Sequence, residues 1–420
     1  MENKIYHKGF YLIIIIVLTK IVFGFYLEKF NPDFFFTTDS YEYINPAKEI
    51  CENGKFNNIN NEAEIKRTPG TSIFLLPAVC FDINLKKYVL LLNLVMILLS
   101  AYFTYKIVRL VDIKISPIII FLIFLIDPTV SKHQFNILSD IIFLFFFTLT
   151  LYFLISGLKK NNNLFFLFGF VLITISTFVR PITLYLPYFL SIFLIFFYFL
   201  YSSFKAKYKY SLFVVLIGLT LHFSLTQLWA HRNYLASGVK EFTYIEAGNN
   251  YFFKTAGIIA KNQKRDFYEV HEEFRDKVSN LSKNEFVNFS NTELKKAILN
   301  YPLEAIMVGL EGAFMTFFTP GTGQYPRMFG IKEINYKLSK IIFHVIGFIW
   351  LIVLGIFALY GIIKIDKNFI FLFLFLIFIY FLLASSGPGS YSRFRIPFMP
   401  LIIIFISSGF QNFTSKIKSF

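Results

Sequence analysis

Charge is what this chain has least of. Only 16% of its 420 residues are Asp, Glu, Lys or Arg, against roughly 25% in an average soluble domain. Cysteine is almost missing, with Cys51 and Cys80 the two present. Two cysteines cannot make a disulfide scaffold. The expectation is a pair of unbonded thiols, with a single Cys51–Cys80 bridge as the alternative if both face an oxidising compartment. The six histidines show no metal-ligand spacing, and His231 reads as a boundary residue. No repeat of 20–50 residues and no inverted symmetry is visible, which counts against a transporter built from duplicated halves.

What is there is apolar and continuous. Hydrophobic residues make up 56% of the chain, and mean hydropathy is +0.59. The runs are unbroken rather than spaced at helix or strand period, so lipid and not water is the expected solvent. Disordered, collagen-like and ordinary cytosolic classes are excluded. The run 10–27 reaches about 27 Å as a helix and has no small-residue cleavage site after it, so it reads as a span. Further spans are expected at 88–108, 115–126, 138–157, 164–179, 182–202, 211–228, 341–363, 369–384 and 396–408. The third is short and carries Asp127-Pro128, which should end or break it. The segment 302–318 carries Glu304 and Glu311, costly against lipid, and is assigned to the outer interface or the protein interior. The fold class is therefore all-α and polytopic, with about ten membrane helices, or eleven if that segment spans.

The net charge of +15 does not imply a nucleic-acid partner, because the cations sit between apolar runs. Lys4, Lys8, Lys106, Arg109, Lys114, Lys159, Lys160, Lys205, Lys207 and Lys209 occupy alternate short loops. The opposite short loops hold only Lys132 and Arg180. By the positive-inside rule the N-terminus is expected to be cytoplasmic. Lys364, Lys367, Lys416 and Lys418 then lie inside, and Arg393 and Arg395 outside. Three parts result: a seven-span module over 1–228 with a long first outer loop at 28–87, an outer segment at 229–301, and 302–420 with the interfacial helix and three last spans. The outer segment should hold an amphipathic helix bearing Phe267, Val270, Phe274, Val278 and Leu281, and a second helix opening at Ser290-Asn291-Thr292-Glu293.

Charged groups at outer helix ends are the candidates for chemistry. Asp39, with Tyr41 and Tyr43, follows the first run, and Lys66-Arg67-Thr68-Pro69-Gly70 closes the same loop. Ser139-Asp140 opens the fourth span, Arg180-Pro181 ends the fifth, Trp229-Ala230-His231-Arg232-Asn233-Tyr234 ends the seventh, and Arg393-Phe394-Arg395-Ile396-Pro397 precedes the last. Each has a structural reading: Asp140 as a helix cap, a lone Arg as a snorkelling anchor, the tyrosines as an interfacial belt. Together they put two acids and several arginines on one face, which suits a reaction whose leaving group is a lipid-linked phosphate.

In their order and membrane placement these motifs resemble the GT-C glycosyltransferases, above all glycosyltransferase family 39 and its bacterial kin, the protein O-mannosyltransferase and lipid A aminoarabinose transferase branch. The resemblance covers nearly the whole chain. It departs at Asp39, which is followed by Ser40 where the O-mannosyltransferases carry an Asp-Glu pair, so protein mannosylation is not implied. What it implies is a GT-C-like transferase in a bacterial cytoplasmic membrane with its active site outside. A polyprenyl-phosphate sugar would be the donor, and a glycan, lipid or protein hydroxyl the acceptor. Asp39 would be the base and Asp140 a second acid that binds sugar or helps to hold a divalent cation. Arg180, Arg232, Arg393 and Arg395, with Arg67 more weakly, would hold the phosphate, and Tyr41, Tyr43 and Tyr234 would line the sugar pocket. No other cofactor is implied. An O-antigen-type polymerase or ligase is the alternative, although such enzymes cluster their key residues in a large loop. A lipid-linked-sugar flippase ranks last.

The charge pattern makes a direct prediction. An impermeant reagent applied outside intact cells should label segments 28–87 and 229–301 but not 205–209. Labelling of all three from one side would remove the common face on which the functional reading depends.

Overall fold

The computed structural model describes residues 2–200, 212–331, 333–385, 387–389 and 391–418. Among them there is no β-strand, and helices follow one another with short joints. Seven helices are long and apolar enough to cross a membrane: Lys8–Phe30, Leu85–Leu110, Asp140–Lys160, Pro181–Phe199, Leu212–Ser237, Asn335–Lys364 and Ser392–Lys416. The chain is thus an all-α polytopic membrane protein. The other three expected spans fall on shorter apolar helices, Pro117–Ile126, Asn163–Val179 and Phe369–Ser385. Lysines 205, 207 and 209 lie outside the described residues.

The first helix, α1 (Glu2–Phe30), leads through a short 3₁₀ turn into α2 (Thr38–Asn53). The loop expected at 28–87 is largely helical, because α3 (Pro69–Cys80) also lies in it. Next comes α4 (Leu85–Leu110), followed by α5 (Pro117–Ile126). Helix α5 breaks at Asp127-Pro128 as expected. The Asp127 carboxylate accepts from the N–H groups of Thr129 and Val130 and so starts the six-residue α6 (Pro128–His133). Helices α7 (Asp140–Lys160) and α8 (Asn163–Val179) then pack as an antiparallel pair. Their contact is close: a Cβ on Gly157 would stand 2.7 Å from the Phe166 backbone nitrogen. The main apolar core gathers α4, α5, α7 and α8 with Phe369–Ser385 and the final helix Met399–Lys418.

The first apolar run carries one charge in its middle. Lys20 lies in mid-α1, where its ammonium donates to Ser131 Oγ and Gln134 Oε1, both at 3.0 Å. It fastens α1 to the break after α5, a structural use that satisfies the charge away from lipid.

Several expectations are corrected. Cys51 and Cys80 are not free thiols: they form a disulfide that joins the end of α2 to the end of α3. The second outer helix opens at Ser282, not Ser290. It runs Lys283–Asn300, with the Ser282 N–H donating to Glu285 Oε2 at 2.9 Å in a reciprocal cap. Ser290 lies inside that helix and turns its hydroxyl to the Val287 carbonyl. The amphipathic helix is Phe267–Val278, which buries Val270 and Phe274 against Tyr251 and ends before Leu281. Pro302–Phe318 is a helix whose Glu311 pairs with Lys261 of the outer segment.

The disulfide closes a separation of 29 residues, a loop whose restriction in the unfolded chain is worth about 3–4 kcal/mol. Cys51→Ser with Cys80→Ser should therefore lower the thermal midpoint of the detergent-solubilised protein. An unchanged midpoint would mean that the bridge adds nothing that α2 and α3 lack.

Candidate functional site

The site begins with how Asp39 is presented. Pro32–Phe35 forms a 3₁₀ turn whose Phe35 carbonyl accepts from the Ile137 N–H at 3.0 Å, and whose Phe34 carbonyl accepts from Asn136 Nδ2 at 2.7 Å. These bonds seat the start of α2 beside the residues that precede α7. Ser40, the residue that departs from the mannosyltransferase pattern, is fully buried, and its hydroxyl accepts from the Thr37 N–H at 2.9 Å. It closes the first turn of α2, so Asp39 stands in that turn, where the helix dipole favours a carboxylate.

Asp140 opens α7 but does not cap it. Its side chain is 0% exposed and accepts from Arg393 Nε at 2.9 Å through one oxygen, while Arg180 Nη1 engages the other. Arg180 follows the last residue of α8. Arg393 lies in the 3₁₀ stretch Ser392–Phe398. Its Nη1 donates to Asp39 Oδ2 at 2.8 Å, so one guanidinium spans both acids. The other oxygen of Asp39 faces Arg67 Nη2 at 2.9 Å. Arg67 also donates from Nε to Glu42 Oε2 at 2.6 Å, and Tyr43 shares its hydroxyl between Arg67 and Ser139.

Arg67 and Arg180 come near each other through a backbone contact. Gly70 sits against the end of α8 so closely that a Cβ would lie 2.5 Å from the Phe178 carbonyl oxygen. Only glycine permits α3 to dock there.

No family model and no curated protein matches this chain.

A cavity of about 840 Å³ opens over this network, lined by Asp39, Tyr43, Arg67, Arg180 and Arg393 on one side. Asp140 lies behind that lining. Burial pushes the Asp39 carboxyl upward, but Arg67 and Arg393 outweigh it and hold the group below the ordinary aspartate value. Of the charged residues that line this side, four are cations, Lys66, Arg67, Arg180 and Arg393, and one is an acid, Asp39, while Asp140 and Glu42 are not among the lining. The floor of the cavity is therefore net positive and disposed to receive an anion.

The remaining candidates go elsewhere. Arg232 donates to the carbonyls of Glu64 and Phe56 at 2.7 and 2.8 Å and lies over the Phe56 and Trp229 rings. Arg395 is buried and donates to the carbonyls of Thr316, Phe317 and Thr319 and to Thr129 Oγ1. Both arginines spend their donors on holding backbone and do not line the cavity. Tyr41 is half exposed and stacks on Phe36 outside it, and Tyr234 lies beside His231, also outside. A divalent cation does not fit the two acids, because arginines already occupy the oxygens of both. Among the described residues no group of three His, Cys, Asp or Glu side chains could hold a metal.

Sequence reasoning gave no role to Glu42, Lys66, Glu246 or Lys254, the last three of which line the cavity. The first two carried a signal: Glu42 stands one helical turn after Asp39, opposite Lys66-Arg67. Glu246 and Lys254 belong to short helical pieces with no apolar period.

The two acids differ in what they risk. Asp140→Asn leaves two arginines facing a neutral group in a dry site and should cost about 3–5 kcal/mol of stability. Asp39, 32% exposed, should cost about 1 kcal/mol as Asn. Thermal unfolding of both variants in one detergent checks the order, and equal losses would contradict it.

Proposed function

We propose that this chain is a GT-C-like glycosyltransferase that moves a sugar from a polyprenyl-phosphate donor to an acceptor hydroxyl on the outer membrane face, with inversion. The observation that carries the reading is Arg393 bridging Asp39 and Asp140 on the floor of the cavity. A base and a phosphate-binding cation are thereby held at contact distance. In this reading the N-terminus is cytoplasmic. The Cys51–Cys80 bridge supports that orientation, since it places the first outer loop on the oxidising side.

The chemistry needs two things from the protein. The bond between the anomeric carbon and the phosphate oxygen breaks, and polyprenyl phosphate leaves with the electron pair. Arg393, Arg180 and Arg67 stabilise that charge, which makes a general acid unnecessary. The acceptor oxygen forms the new bond from the opposite face and gives its proton to Asp39.

Before donor arrives, the same arginines suppress the basicity of Asp39. A phosphate that draws Arg67 and Arg393 toward itself weakens their hold, so Asp39 gains basicity once the leaving group is in place. Asp140, fully buried and bound on both oxygens, is a positioning residue that aims Arg180 and Arg393.

The test uses the purified full chain with radiolabelled polyprenyl-phosphate hexose as donor and membrane extract as acceptor. Asp39→Asn should lower transfer by at least about 10²-fold while donor affinity persists. Arg393→Ala or Arg180→Ala should weaken donor binding by about 1.5–3 kcal/mol, the worth of one charge-assisted contact. Because Asp39 is held low, the acid limb of the rate profile of the free enzyme should lie below the ordinary aspartate range. No donor consumption by the parental protein, or parental rates in Asp39→Asn, would end the reading.

A further inference from the structure

The cavity has two chemically different sides. Opposite the arginine floor stands a wall built from the outer segment, and it begins with Ile245–Gly248, a single helical turn that carries Glu246. A π-helix follows at Asn249–Thr255. Such i→i+5 turns are rare, less stable than α-helix and concentrated at functional sites. Asn249, Asn250, Phe252, Phe253 and Lys254 all line the cavity, five of the seven residues in the element.

The polar groups on this wall fall into two sets. Asn250 gives its amide to Asn291 and receives Lys254, and Thr243 donates to the Lys66 carbonyl. Glu246, which is half-buried, and Asn249, which is exposed, also line the cavity, and among the described residues no hydrogen bond or ion pair engages either side chain. Burial raises the Glu246 carboxyl above the ordinary glutamate value, against the pull of Lys254. Around the two lie aromatic faces. Phe252 stacks on Phe286 at 5.5 Å between centroids, Tyr244 lies 5.7 Å from Phe286, and Phe253 stacks on Phe267.

A partnerless carboxyl and a partnerless amide beside aromatic faces match a neutral ligand with many hydroxyls and apolar C–H faces. A lipid chain would leave the half-buried Glu246 carboxyl unsatisfied. An anion is better served on the opposite floor.

We propose that this wall is a carbohydrate subsite, in which Glu246 and Asn249 hydrogen-bond a neutral glycan whose sugar faces lie on Phe252 and Phe253. Resting on the transferase reading, this makes the acceptor a glycan, and the reaction one that extends sugar with sugar. Glu246 and Asn249 determine specificity and take no part in bond breaking. The glycan enters beside the π-helix and offers its hydroxyl toward Asp39, while the donor phosphate occupies the arginine side.

The experiment measures two affinities on the same preparations of the full chain. One probe set is a panel of neutral tri- and tetrasaccharides of glucose, galactose and N-acetylglucosamine, read by saturation-transfer NMR without donor. The other is a fluorescent polyprenyl phosphate. Glu246→Ala should weaken the best-bound glycan by about tenfold, the loss of one hydrogen bond, and Asn249→Ala, at an exposed position, by about threefold. Glu246→Gln, which keeps a neutral hydrogen-bonding group, should stay within about twofold of parental. None of the three should alter polyprenyl phosphate binding, whereas Arg393→Ala should weaken it and leave the glycan in place.

Failure of every glycan to bind the parental protein overturns the subsite. So does parental glycan affinity in both Ala variants, or a loss of polyprenyl phosphate affinity in Glu246→Ala that matches its loss of glycan. Glycan binding with no polyprenyl phosphate binding leaves the subsite standing and sinks the transferase reading instead.

Discussion

The guanidinium of Arg393 is the constraint on which the rest of the site depends. Two carboxylates from opposite ends of a tight corner, Asp39 at the start of α2 and Asp140 at the start of α7, would repel each other in a dry interior. Arg393 donates to both, and Arg67 and Arg180 close the two outer flanks. The cluster then becomes a chain of alternating charge in which every carboxylate oxygen is met. The helices around it can be read as supports for this chain. Each brings one member to the same level, and none could supply two members far apart in sequence.

The outer segment is not loosely attached to that base. The Tyr244 N–H donates to the Ile65 carbonyl, Thr243 to the Lys66 carbonyl, and Lys283 pairs with Glu62. These bonds all land on the stretch that ends in Arg67. The neutral wall and the positive floor therefore share one connection, so their spacing is set by backbone hydrogen bonds rather than by flexible side chains. Gly389, packed 2.7 Å in Cβ terms from the Phe253 ring, ties the approach to Arg393 into the same wall.

How much of this was legible differs from residue to residue. The long apolar runs announced most helices, because a lipid-facing surface leaves little choice of residue. Asp39, Asp140, Arg180 and Arg393 stood out as charges at the ends of such runs, and run ends are readable. Arg232 and Arg395 stood out for the same reason, yet their side chains turn to backbone carbonyls. Direction of a side chain is not written in its position. The disulfide stood only as the alternative to free thiols, because two cysteines carry no spacing rule and their pairing depends on α3 folding back along α2. Ser282 was missed because Ser290 offered the same cap pattern eight residues later, and packing against the Tyr251 cluster favours the earlier start. Glu246 was invisible, since a four-residue turn has no period.

The π-helix makes the two halves of the cavity separable in evolution. An element of this kind holds one residue more than the α-helix that could replace it. Deleting a single residue between Asn249 and Thr255 would turn the stretch into α-helix and change which of its residues meet the cavity, while the flanking helical pieces keep their direction. Asp39, Asp140 and the three arginines all come from other elements, so the change would replace none of them. One codon gained or lost in that stretch would therefore alter the wall of the cavity while the charged floor keeps all its residues.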